Sequence, residues 1–389
     1  MSSQVAGMTQ VRKRRVPLWD NGRWIAITLM VIGHAILKLI GESNVAYEVY
    51  LFIYAFHVPL FVAVSGYFAR SSPPGTRQLH RLLTDIVFPY IIFESIWTVI
   101  RWLLGGAFVP DFSTASWTLW FLIALLIWRL MLPFLVLLRY PLLISILISI
   151  GSGYLESIDA GFSISRTLGL LPFFVFGWKL RQWQLTPIWL GLAAGAVWRW
   201  RIGALTLFTA LFGVIVMNIE LLRTLKVRRF LLYNEAYPVF GFDEIWAGGI
   251  RLGLMLLAFA LIVAFLLLVP RRTTWFSTFG AATMYIYLLH SFLLFPLRES
   301  GVLEGPQPAW VLPGVILLSV LISIVLSHPV VKKVFRPLVE PRARWMFRKH
   351  ASTDTGTIVL PHLGPSGTML ESPAAPDSAP GDAPPAAAR

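Results

Sequence analysis

Cysteine is absent from the 389 residues. That excludes a disulfide, a thiolate nucleophile and a cysteine metal site. Charge is scarce too: Asp, Glu, Lys and Arg make up 13% of the chain, about half of the ~25% in an ordinary soluble domain. Acidic residues are the scarcer sign, 19 against 33 Lys and Arg, for a formal net charge of +14. No G-x-S-x-G motif occurs, which removes the usual nucleophile elbow of a serine acyl-enzyme. With seven histidines in all, an imidazole inside an apolar run stands out.

The residues that are present are mostly apolar. The hydrophobic share is 57%, with 16 Trp, 11 Tyr and 27 Phe, enough for aromatic belts at both faces of a bilayer. Such a composition predicts an all-α polytopic membrane protein. The basic residues fall in short connections and near the ends. That placement suits anchoring against an anionic cytoplasmic leaflet, not binding of nucleic acid.

Apolar runs bounded by polar connections predict about ten transmembrane helices with both termini cytoplasmic. Their approximate ranges are 24–40, 49–69, 82–104, 117–138, 142–155, 164–180, 202–222, 250–269, 275–295 and 311–331. Residues 1–18 read as a basic cytoplasmic tail, 19–335 as the membrane domain, and 336–389 as a second cytoplasmic tail, disordered from about 351. The basic N-terminus is followed by no small-residue cleavage site, so the first helix is expected to be retained. The path of 187–249 is ambiguous. Residues 187–197 are apolar but too short to span, and Trp198-Arg199-Trp200-Arg201 interrupts the run. Arg223, Lys226, Arg228 and Arg229 would be inside by the charge rule. Yet 233–249, with Asn234, Glu235, Asp243 and Glu244, is a poor span. The expectation is therefore that 187–197 is interfacial and 223–249 lies outside.

The first apolar run carries Arg23 near its start and His34 eleven positions later. At about 100° per residue both side chains fall on nearly one helix face, about 16 Å apart along the axis. Asp20 precedes Arg23 by one turn on the same side. Ionisable groups within a span are costly and mark function by default, although a structural polar pair between helices would look the same. His57 lies at a depth similar to His34, with Pro59 removing one helical hydrogen bond beside it. Glu94 in the third run and His290 in the ninth complete a polar set on four helices. Glu94 could orient a histidine or pair with Arg101, and His57 and His290 could each be packing residues. His328, before Pro329, reads as a helix cap, and Arg129 and Arg166 as snorkelling cations with no assigned role. No pair has close metal-ligand spacing, so no metal and no bound cofactor is expected. A mid-membrane histidine suits general-base removal of a hydroxyl proton, with arginines on the inner side for the phosphates of an activated donor.

The chain resembles the integral-membrane acyltransferases of type 3, which include fucose 4-O-acetylase-like and polysaccharide O-acetyltransferases. The residues that carry the resemblance are Asp20-x-x-Arg23, the ten-residue interval to His34, Phe56-His57-Val58-Pro59-Leu60-Phe61 and Ser65-Gly66-Tyr67. Pro89-Tyr90, Leu119-Trp120-Phe121-Leu122, Pro172-Phe173-Phe174-Val175-Phe176-Gly177 and Tyr285-Ile286-Tyr287-Leu288-Leu289-His290 follow in order. The resemblance implies ten spans in a bacterial inner membrane, an acyl-CoA co-substrate (usually acetyl-CoA) on the cytoplasmic side, and a carbohydrate or glycolipid acceptor. It implies His34 as the catalytic histidine, Arg23 as its donor-side partner with Asp20 as a further catalytic candidate, and His57, Glu94, His290 and Tyr287 about the site. Arg77 and Arg81 stand near where the family has a tighter arginine pair, as donor-binding candidates. The further extracytoplasmic domain of some members is not seen here, so the membrane domain would act alone or with a separate partner. The other reading is a transporter or flippase for a glycan or lipid-linked sugar, since intramembrane charges also mark transport paths; no inverted repeat supports it.

Overall fold

The structure, a computed structural model, describes residues 16–156, 161–241, 244–341 and 346. Most of the expected N-terminal tail, up to residue 15, and all of the tail from 351 lie outside the described residues. The chain divides into two units, 1–342 and 343–389; all that follows concerns the first.

The described residues are helical and connecting segments, with no strand among them. α1 spans Pro17–Ala35, with proline at its first position, where a missing N–H costs nothing. α2 spans Asn44–Tyr54, capped by the Ser43 hydroxyl accepting from the Ala46 N–H at 3.2 Å. α3 spans His57–Tyr67. The break between α2 and α3 falls where Pro59 can neither donate to nor fit against the carbonyl of Ala55. α4 (Thr76–Leu82) runs through a π-turn at Leu83–Val87 into α5 (Phe88–Leu103). Pro89 stands four residues after Asp85, so the wider turn relieves the same clash. Then come α6 (Trp120–Leu135), α7 (Pro141–Ser152), α8 (Ile164–Gln182), α9 (Leu185–Gly191) and α10 (Ala194–Met217). α11 (Ile219–Thr224) and α12 (Val227–Leu232) are short and lead to α13 (Trp246–Leu268). A 3-10 segment, Ser277–Ala282, opens into α14 (Thr283–Glu299), followed by α15 (Val311–Leu326) and α16 (Pro329–Val339). The His328 side chain accepts from the Val330 N–H at 3.3 Å, the capping role expected of it.

Among the described residues, five helical lengths are long and apolar enough to cross a membrane: Asn44–Tyr67, Thr76–Leu103, Ala194–Met217, Trp246–Leu268 and Ser277–Glu299. The α15–α16 pair, bent by 76°, would make a sixth. The protein is a multi-pass membrane protein. Each of the other expected spans contains a helix, but a shorter or more polar one.

Contacts between connections sort them onto two ends of the bundle. At one end Arg223 donates to Asn44 Oδ1 at 3.2 Å and to the Ile40 carbonyl at 2.9 Å, and Lys38 pairs with Glu304 at 3.0 Å. Tyr154 donates to the Ile245 carbonyl at 2.5 Å, and the Phe162 N–H to the Ser113 carbonyl at 2.7 Å. At the other end Arg181 donates to the Ala69 carbonyl at 3.4 Å, and Arg271 to the carbonyls of Leu190 and Leu192. Residues 223–241 thus share an end with the connections after α1 and α7.

The path before them differs from the expectation. Trp198-Arg199-Trp200-Arg201 does not interrupt a helix; it lies within α10, and the break falls at Leu192-Ala193. Arg201 donates to the Leu267 and Val269 carbonyls at 3.1 and 3.3 Å, satisfying the open end of α13. A cation with such partners does not end a helix.

The core is held by close helix crossings. A Cβ at Gly66 would overlap the Phe174 carbonyl, and one at Gly177 would overlap the Ala63 carbonyl. α3 and α8 therefore meet backbone to backbone, which only small residues allow. α1 packs against Ser277–Ala282, α14, α15 and α3, so its polar residues face the centre.

Candidate active site

α1, α3, α6 and the start of α14 enclose a cavity of about 420 Å³. Arg23, His34, His57, Arg129 and Tyr287 line it, with Thr118 from the connection before α6. Asp20, Glu94, His290, Arg77 and Arg81 do not.

His34 meets His290 at 3.0 Å, Nδ1 to Nε2, and the rings stack with centroids 5.3 Å apart. His290 is fully buried, and its Nδ1 lies 3.0 Å from the Ile286 carbonyl. A carbonyl only accepts, so His290 Nδ1 carries a proton. In the neutral ring Nε2 is then an acceptor, which makes His34 Nδ1 the donor of the shared bond. The lone pair of His34 is left on Nε2, in a side chain that lines the cavity. His290 therefore acts on the cavity through His34.

His57 is built on the same rule. Its Nδ1 lies 3.0 Å from the Ile53 carbonyl, which is in reach because the helix breaks after α2. Its Nε2 is buried and accepts nothing from the protein. The Tyr54 ring fills the space between, 4.4 Å from the His57 ring and packed against Gly33. Two imidazoles thus bring bare acceptors to one cavity.

Residues 116–118 roof the histidines. Trp117 has a left-handed backbone, φ 42°, and its ring lies 5.7 Å from His34 and 6.2 Å from His290. The Arg298 guanidinium covers it at 4.1 Å. Sidewise strain of this kind persists where the surroundings fix it. Here Glu94 takes the Ser116 N–H at 2.8 Å and the Ser116 hydroxyl, and Arg101 reaches the same carboxylate at 3.3 Å. From the other side the Tyr287 hydroxyl donates to the Thr118 carbonyl at 2.5 Å. Glu94 thus stands away from the cavity and pairs with Arg101, one of the two roles its sequence position left open. Trp117 was missed from sequence: one aromatic among 16 tryptophans carries no signal of its own.

At the other end Arg23 lies 4.0 Å from Asp20 and 4.3 Å over the Phe68 ring. Asn21 was also missed. It is fully buried, donates to the Pro270 and Arg272 carbonyls at 3.0 Å each, and accepts from Thr274 and Ser277 at 3.0 and 2.6 Å. It ties the start of α1 to the connection that leads to α14. Arg77 and Arg81 are exposed on α4. Arg129, given no role from sequence, faces the cavity instead. Among the described residues no three His, Asp or Glu side chains are grouped to hold a metal.

No solved structure matches the chain. The nodulation protein NolL of Mesorhizobium japonicum is 28% identical over 107 residues, which is 26% of this chain and 28% of that protein. The chain thus spans under a third of the length of that curated relative. A family model described as an acyltransferase domain matches residues 17–328. Those limits run from the first residue of α1 to the cap of α16, across every helix that builds the cavity. A match over that much of the chain places the protein in this acyltransferase-domain family.

Proposed function

We propose that the protein is an O-acyltransferase that moves an acyl group, acetyl by its family resemblance, from cytoplasmic acyl-CoA to a hydroxyl of a carbohydrate or glycolipid. The observation that carries this reading is a histidine, His34, that lines the cavity while its Nδ1 is bound to His290, an arrangement that leaves its lone pair on Nε2. The acceptor hydroxyl gives its proton to His34 Nε2 as its oxygen attacks the thioester carbonyl. The new C–O bond forms, the C–S bond breaks, and the leaving thiolate takes the proton back from His34 as free thiol. Positive charge on His34 in the meantime is held by the hydrogen bond to His290 Nε2, an acceptor already in place. His57 Nε2 would accept a hydrogen bond from an O–H or N–H of either substrate.

The alternating ends of the helices support ten passes in this reading. The end with Arg70, Arg181, Arg271 and Arg272 would be cytoplasmic, and the end with Glu42, Glu220, Glu235 and Glu304 would face out. A bacterial inner membrane is the compartment that fits.

The test is transfer of label from acetyl-CoA to total cell-envelope glycan, by wild type and His34→Ala in nanodiscs. Loss of transfer in a folded His34→Ala variant supports the reading. Equal transfer by both proteins would remove His34 from the reaction.

A further inference from the structure

Arg129 is the cavity-lining cation that the acyltransferase reading leaves without work. It stands six residues from the end of α6 at Leu135, and Arg23 stands six residues from the start of α1 at Pro17. Each arginine thus lies about 9 Å along its helix from that helix end. Both side chains line the cavity that reaches His34. His34 is eleven residues beyond Arg23 on α1, about 16 Å deeper. The cavity is therefore polarised along its length, with two guanidinium groups near one end and neutral imidazoles toward the other.

Arg23 has Asp20 at 4.0 Å. Among the described residues no carboxylate lies within ion-pair distance of Arg129. Its Nε–H is buried and donates to no protein acceptor. Asp85 acts on Arg129 only from beyond ion-pair distance, and a largely buried cation without a direct ion pair is costly in a membrane protein. The cost is offset when the counter-ion arrives with a ligand. Two guanidinium groups lining one cavity match phosphate oxygens, which accept forked N–H donors. Arg77 and Arg81 are exposed outside the cavity and do not offer this geometry.

We propose that Arg129 and Arg23 form a two-cation clamp for a phosphate of the acyl donor, and that the donor's neutral arm runs along the cavity and sets its thioester carbon near His34. The proposal rests on the acyltransferase reading and adds Arg129 to it. It also separates the substrates: the anionic one enters at the arginine end.

The experiment uses the full chain in phosphatidylcholine nanodiscs and measures binding of acetyl-CoA and of pantetheine, which lacks the phosphates. Wild type, Arg129→Gln and Arg129→Lys are compared, each checked for an unchanged melting profile. The clamp predicts that Arg129→Gln weakens acetyl-CoA binding about 10- to 100-fold. Arg129→Lys should recover part of the loss, and pantetheine binding should not change. Equal acetyl-CoA affinity in wild type and Arg129→Gln overturns the clamp and leaves the reaction standing. Equal loss of pantetheine binding also overturns it, because the residue would then be shaping the cavity. If Arg129→Gln instead removes only competition by phosphatidylglycerol added to the nanodiscs, the arginine holds a lipid headgroup and the clamp is wrong. Failure of wild type to bind acetyl-CoA would remove the donor itself, and with it both the reading and the clamp.

Discussion

His34 and His290, 256 residues apart, share one hydrogen bond of 3.0 Å, and a carbonyl on the far side of His290 decides which ring donates. If that carbonyl sets the tautomer, a replacement that still accepts from His34 Nδ1 preserves function better than one that cannot. His290→Gln should retain more activity than His290→Leu. The leucine variant should lose about 10- to 100-fold in kcat with KM for acetyl-CoA unchanged, and His34→Ala about 10²- to 10⁴-fold. Steady-state kinetics of both substrates check this. Equal kcat in His290→Leu and wild type would show that His290 only packs.

Gly66 and Gly177 let α3 and α8 touch at the backbone. Gly66→Ala or Gly177→Ala must push the helices apart, at a cost of about 1–3 kcal/mol or more. Each should lower the melting temperature in detergent. The double variant should lose less than the sum, because the first substitution already opens the crossing. Unchanged melting in both single variants would contradict the close approach.

Glu94 holds Ser116 and, through it, Trp117 above the histidines. Glu94→Ala leaves the buried Ser116 N–H without its acceptor, at about 1–3 kcal/mol. Stability and transfer activity should both fall, while acetyl-CoA affinity holds. A variant that loses acetyl-CoA binding alone would place Glu94 at the donor instead.

The connection before α6 carries a pH-dependent tether outside the spans. Ser113 and Thr114 donate to the Asp111 carboxylate, which is pulled down from its ordinary 3.8 to about 2. A depressed carboxyl contributes stability above its unfolded pKa and loses it as pH falls through the folded value. The tether should thus hold at neutral pH and release between about pH 4 and 2. A carboxyl titration by carbon-13 NMR, with Asp111→Asn as control, should show a midpoint near 2. A midpoint at the ordinary value would mean that the turn is open.

Residues 223–241 contact the connections after α1 and α7, through Arg223 to the Ile40 carbonyl and the Tyr237 N–H to the Gly153 carbonyl. In the cysteine-free chain, Asn234→Cys should react with a membrane-impermeant maleimide added from the outside. Reaction only from the cytoplasmic side would invert the proposed orientation.

The sequence by itself determined the helices and much of their punctuation. Apolar length marks the runs, and Pro59 and Pro89 mark the irregular turns after α2 and α4, because a missing N–H acts on its own neighbours. It also placed Arg23 and His34 on one face of one helix, since a separation of eleven residues within a helix fixes both angle and rise. Tertiary structure alone decided that His34 meets His290, that Glu94 turns to Ser116 and Arg101, that Arg201 closes α13, and that Arg129 opens on the cavity. The periodicity of a helix says which residues share a face. Which face meets which is decided between helices, by where small residues such as Gly66 and Gly177 let two backbones approach.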